Sequence, residues 1–249
     1  MFRVDPYPPL NVPKPFGDDI WIVDGPVVRM RYGPTSLPFS TRMTIVRLAG
    51  GRLWVHSPTE LTDDLRAAVT ALGTVAFLVA PNRLHWVHLG AWQAAFPDAA
   101  THAAPKVADK AQEGGFRVDA ELQPAPDAGW AGEIDQVLVS GSFMTEADFF
   151  HRQSRTLILT DLVENFEADH VHGLLSETVM GLGGVLDPHG STPRDLRLTF
   201  LARKTEVRAA AETMIGWRPE RVILAHGRCY TEDAGAELAR ALAWTGAQG

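Results

Sequence analysis

Apolar positions in this chain follow two rhythms, one suited to strands and one to helices. Ile20-Trp21-Ile22-Val23 and Val27-Val28-Arg29-Met30 flank Asp24-Gly25-Pro26, which predicts two short strands joined by a turn. Arg42 to Leu48 and Arg52 to His56 flank Ala49-Gly50-Gly51, and their β-branched and aromatic residues predict a second antiparallel pair. At Ser57-Pro58-Thr59-Glu60 the pattern changes. A Ser cap, a Pro at the first helical position and a Glu three residues after the cap predict a helix start, continued by Leu61, Leu65, Ala68, Val69 and Leu72.

Further on, Val75 to Ala80 is an unbroken apolar run of the kind a buried strand shows. A helix over roughly His85 to Ala95 and a short strand over Thr101 to Ala104 follow. Ile134 to Val139, Ala147 to His151 and Thr156 to Thr160 read as strands, and Asn165 to Met180 as a helix. The chain closes with a helix near Lys204 to Ile215, a strand over Arg221 to Ala225 and an amphipathic helix over Ala234 to Trp244. Hairpins followed by alternating strands and helices predict sheets packed together with helices outside, an α/β domain over residues 19–249. Residues 1–18, rich in proline, are expected as an extended arm.

Composition narrows the chemistry. The longest apolar runs fall well short of the roughly 20 residues a membrane helix needs, so no membrane partner is expected. The net charge of −7, with Lys and Arg scattered, argues against nucleic acid. The first residues have no basic end followed by an apolar stretch, so a cytoplasmic location is expected. One cysteine, Cys229, excludes an internal disulfide and any Cys-rich metal site, whereas nine histidines leave a His/carboxylate site open. Four predicted strands end on groups able to bind metal or move protons: His56, the segment Pro81 to His85, Asp161 and His226. Strand ends in α/β sheets hold such groups on rigid backbone facing a crevice.

The segments Leu53-Trp54-Val55-His56-Ser57-Pro58, Val79-Ala80-Pro81-Asn82-Arg83-Leu84-His85, Ser154 to Asp161 and Val222-Ile223-Leu224-Ala225-His226-Gly227 resemble the DUF4336 family. That family is similar to the metallo-β-lactamase superfamily. The resemblance implies an αββα sandwich of two mixed sheets with helices on both outer faces and a metal site at one edge. Superfamily members carry a His-x-His-x-Asp-His segment, a further His, a bridging Asp and a last His. Here Asp161 and His226 match the last two. The first segment reads Pro81-Asn82-Arg83-Leu84-His85-Trp86, and Ser140-Gly141-Ser142 has no middle His.

The resemblance therefore implies a reduced, mononuclear site: His85, Asp161 and His226 as ligands, with His56 as a fourth ligand or an orienting partner and His88 as a weaker candidate. The expected cofactor is a divalent metal, zinc first, iron or manganese as alternatives. The reaction implied is hydrolysis of a small-molecule substrate, in which Asp161 alternatively accepts the proton of water. The competing reading is a catalytically inactive binding protein on the same fold, without a functional metal centre. Pocket walls are expected from Arg31 to Thr41, Gly181 to Pro193 and the arm.

Overall fold

The strand pattern resolves into two facing sheets. In the computed structural model, which describes residues 3–32 and 35–247, the first half contains β1 (Arg3–Val4), β2 (Lys14–Gly17), β3 (Ile20–Tyr32), β4 (Thr35–Leu48) and β5 (Arg52–His56). There follow α1 (Asp63–Leu72), β6 (Thr74–Ala80), α2 (Leu89–Ala95), β7 (Ala100–Ala103), α3 (Ala111–Gly114) and β8 (Ala120–Glu121). The second half opens with β9 (Ile134–Ser140), β10 (Thr145–His151), β11 (Thr156–Leu159) and β12 (Val171–His172). It ends with α4 (Leu174–Gly183), α5 (Arg194–Thr199), α6 (Lys204–Gly216), β13 (Arg221–Leu224) and α7 (Ala234–Leu242). Met1, Phe2, Gly33 and Pro34, which fall within the expected arm and pocket wall, lie outside the described residues.

One sheet has the order β2-β3-β4-β5-β6-β7-β8 and the other β13-β11-β10-β9. The first is antiparallel from β2 to β5 and parallel from β5 to β8; in the second, β11 and β13 run parallel. Trp54, Val55 and Leu78 from one sheet and Phe149, Ile158 and Ile223 from the other share one buried core. A second core joins Leu157 and Leu224 to Val207, Met214 and Leu238 of the helices outside. On the opposite outer face, Leu65 and Val69 of α1 and Leu89 and Trp92 of α2 are fully buried. This is the expected αββα sandwich.

Several local expectations differ from the structure, each for a tertiary reason. Asp24-Gly25-Pro26 is not a turn, because β3 continues through it opposite β4 with a bulge between Gly25 and Val28. The bulge removes Pro26, which has no N–H to donate, from the ladder. The first helix starts at its Thr62 cap, whose hydroxyl accepts from the Leu65 N–H, and not at Ser57. Ser57 has φ +53° and its hydroxyl is engaged elsewhere. The expected helix over His85 to Ala95 begins only at Leu89. Asn165 is not helical: its N–H bonds the His226 carbonyl and its carbonyl accepts from Arg228. The helix there begins at Leu174. The expected arm is tied down: β1 pairs with β12, and β2 is the edge strand of the larger sheet.

Candidate metal centre

Ligand atoms of His85, Asp161 and His226 lie within 4.8 Å of one another. Asp161 follows β11, His226 follows β13, and those strands are parallel neighbours, so both residues emerge at the same end of the smaller sheet. His85 reaches the same point from the other sheet, on the turn after β6. The His85 Nε2 atom is 3.3 Å from Asp161 Oδ2, and His226 Nε2 is 3.2 Å from Asp161 Oδ1. Tetrahedral coordination with bonds of about 2.1 Å spaces ligand atoms about 3.4 Å apart, so both His–Asp separations suit a shared ion.

Each imidazole is held from behind. His85 Nδ1 is 2.7 Å from Ser57 Oγ, and His226 Nδ1 is 2.8 Å from the Ser40 carbonyl oxygen. A carbonyl only accepts, so the neutral His226 ring carries its hydrogen on Nδ1 and keeps a lone pair on Nε2. That Nε2 is buried and without a hydrogen-bond partner, although a carboxylate oxygen lies 3.2 Å away. A lone pair facing a buried carboxylate calls for a cation or a proton between them. Phe39 and Phe166 pack about the His226 ring. Gly227, at φ +87°, lets the chain close on Asn165, whose carbonyl oxygen would lie 2.0 Å from an added Cβ.

A second tier fixes Asp161. Glu146, on β10, accepts the backbone N–H groups of Thr160, Asp161 and Leu162 at 2.9–3.0 Å. It also accepts the Asn82 amide at 2.9 Å, and Asn82 donates to Asp161 Oδ2 at 2.7 Å. Asn82 Oδ1 receives the N–H groups of Leu84 and His85, which turns the chain after β6 and places His85. Sequence reading missed these roles for Ser57, Ser40, Asn82 and Glu146. A signal for Glu146 was available, since Glu146 and Asp148 alternate in a strand otherwise rich in apolar residues.

The electrostatics follow from burial and pairing. Burial raises the Asp161 carboxyl, but the two imidazoles beside it, His85 before His226, outweigh that and hold the group well below the usual carboxylate range. Burial lowers His85, and the Asp161 carboxylate reverses that, leaving it above the ordinary histidine value. Burial pushes Glu164 up to about 8, and Asp148 well above its ordinary value with Glu146 adding to the effect.

The remaining histidines lie apart from this group. His56 packs its ring on Trp54 and Phe149 with Nε2 unpaired, and burial followed by the His85 charge lowers it to about 3. His88 also stands outside, with a buried unpaired Nε2. His170 stacks on Tyr7 and His172 lies 2.6 Å from Asp5, both on the N-terminal segment. Trp92 is core, its Nε1 donating to the Thr59 carbonyl. Cys229 sits beside Arg42, 3.3 Å from Nη1. Two clefts of about 370 and 420 Å³ open along the N-terminal segment, and neither is lined by His85, Asp161 or His226.

Comparison with solved structures places this architecture. The DIM-1 metallo-β-lactamase exposed to ceftazidime aligns with a TM-score of 0.60 at 14% identity, over 94% of this chain and 96% of that one. The mono-zinc form of the FIM-1 enzyme from Pseudomonas aeruginosa aligns at 0.59 and 12%, over 94% and 95%. A metallo-β-lactamase from Pontibacter korlensis aligns at 0.58 and 14%, over 95% and 99%. At such identities the likeness establishes the fold. No curated protein matches the sequence. A family model described as a domain of unknown function, DUF4336, matches residues 18–179. The chain is thus a metallo-β-lactamase-fold protein and belongs to the DUF4336 family.

Proposed function

We propose that this protein is a metal-dependent hydrolase whose centre holds one divalent ion through His85, Asp161 and His226. Zinc suits the two imidazoles and one carboxylate best, with iron or manganese as alternatives. The observation that carries the reading is His226 Nε2, a buried ring nitrogen 3.2 Å from an Asp161 carboxylate oxygen and without a hydrogen-bond partner. Such an ion supplies Lewis acidity and acidifies bound water, which suits hydrolysis of an ester, thioester, amide or lactone. The chain's own contribution is orientation. Ser57 and the Ser40 carbonyl aim the two imidazoles, and Glu146 with Asn82 holds Asp161 in register.

A second reading, a metal-free binding protein, is favoured by a different observation: both histidines already lie within ion-pair distance of Asp161. Metal analysis of protein purified without chelator or a nickel column, followed by zinc, iron and manganese titration under thermal melting, separates the two. The hydrolase reading expects about one equivalent bound. It also expects stabilisation of about 2.7 kcal/mol at a hundredfold excess over Kd, because the ion binds only the folded state. Loss of both in the Asp161→Ala variant is expected. Less than about a tenth of an equivalent, with no stabilisation by any of the three ions, overturns it.

A further inference from the structure

The amide of Asn82 sits at an unusual place for a neutral group. Asn82 is fully buried and follows β6 directly. Its Oδ1 accepts the N–H groups of Leu84 at 2.8 Å and His85 at 3.2 Å. Turning the amide over would set NH2 against those two donors, so the hydrogen-bond network assigns Nδ2 to the other side. There Nδ2 meets three oxygens: Asp161 Oδ2 at 2.7 Å, Glu146 Oε2 at 2.9 Å and Thr160 Oγ1 at 3.2 Å. Two carboxylates and a hydroxyl around one point are the donors that hard cations take. Here the point is filled by nitrogen and its hydrogens.

We infer that Asn82 limits the centre to a single ion by occupying the position a second cation would take beside Asp161. The inference rests on the reading that His85, Asp161 and His226 hold an ion. Two-metal centres place their ions about 3.5–4 Å apart, and a carboxylate that bridges such a pair offers one oxygen to each. Asp161 Oδ1 is the oxygen near both imidazoles, 3.2 Å from His226 Nε2 and 3.4 Å from His85 Nε2, while Oδ2, 3.3 Å from His85 Nε2, accepts from the Asn82 amide at 2.7 Å. The amide's partial positive charge holds the Glu146 and Asp161 carboxylates together without a second ion, and its bulk keeps one out. Glu146 cannot swing away to make room, because three backbone N–H groups fix it.

The test counts ions and does not depend on turnover. Wild type and the Asn82→Asp and Asn82→Ala variants are titrated with zinc and with manganese, and occupancy is read by native mass spectrometry beside circular dichroism. Asn82→Asp keeps the oxygen that receives the Leu84 and His85 N–H groups and turns the donor into a third anionic oxygen. Asn82→Ala removes the amide and leaves Glu146 and Asp161 facing a vacated space. The expected result is about one equivalent in wild type and a doubling to about two in either variant. A variant that folds only when the ion is added, and then carries two, supports the inference equally. One equivalent in folded variants, or variants that stay unfolded with the ion present, overturn it and leave the metal reading standing, while two equivalents in wild type overturn it together with the one-ion count of that reading. No ion in wild type overturns both.

Discussion

His56 and His226 each stand at the end of a strand and each are 2% exposed, yet only His226 joins the cluster with His85 and Asp161. His226 has its Nδ1 fixed by the Ser40 carbonyl, so its Nε2 is aimed at Asp161. No such bond to His56 is found among the described residues; its ring lies among Trp54 and Phe149, and its Nε2 has no hydrogen-bond partner there. His85 repeats the first case, held by Ser57 Oγ. A strand end therefore supplies position, but the partner on the far ring nitrogen supplies aim.

The sharpest break of that comparison is Ser57→Ala. Releasing His85 Nδ1 is expected to weaken zinc binding about 10–100-fold in a competition titration with a chromophoric chelator, without altering the circular dichroism. His56→Phe is expected to leave the same affinity unchanged. Equal affinity in wild type and Ser57→Ala would remove the aiming argument.

The second prediction is a pH dependence of the metal-free protein. Glu164 has a folded pKa of about 8, far above its ordinary 4.5, so the unfolded chain releases this proton first and stability falls as pH rises through that interval. Asp148 is raised and acts in the same direction. His85 is raised above 6.5, so the stability it contributes is full below that value and lost as pH rises through its folded pKa. His56, lowered to about 3, acts only below 6.5 and in the opposite direction. Between pH 6.5 and 8 the melting temperature should therefore fall. Each proton accounts for about 1.4 kcal/mol per pH unit at most, or a few degrees. Glu164→Gln should flatten the slope; a melting temperature that rises across this window would contradict the assignment.

The smallest effect expected is at His56 itself. Replacing it by Phe removes an unpaired buried nitrogen from an aromatic cluster and should stabilise the protein by about 1 kcal/mol in urea melts at pH 7. Destabilisation there would mean that the imidazole nitrogen has a partner, most simply a buried water, and that His56 belongs with the oriented rings after all.

Much of this arrangement could be read from local pattern. Unbroken apolar runs located β6, β11 and β13, and the polar residues at their ends include Asp161 and His226. Local pattern misread Ser57, which looks like a helix cap followed by a proline; its hydroxyl instead goes to a ring 28 residues away. Asn82 looks like an ordinary turn residue after a strand, and its turn-forming oxygen does that work. Its nitrogen reaches Glu146, 64 residues on, and Asp161, 79 residues on.

Burial follows a period set by neighbours along the chain, which is why the apolar pattern in the amino-acid order located the strands and the candidate His and Asp residues at their ends. Which of those residues share a point, and which ring nitrogen is left free, depends on hydrogen bonds between segments far apart in the chain. Those bonds are directional and are set by the parallel register of β11 with β13 and by the meeting of β6 with the smaller sheet. Only the folded arrangement could separate His226 from His56 and set an asparagine amide between two carboxylates.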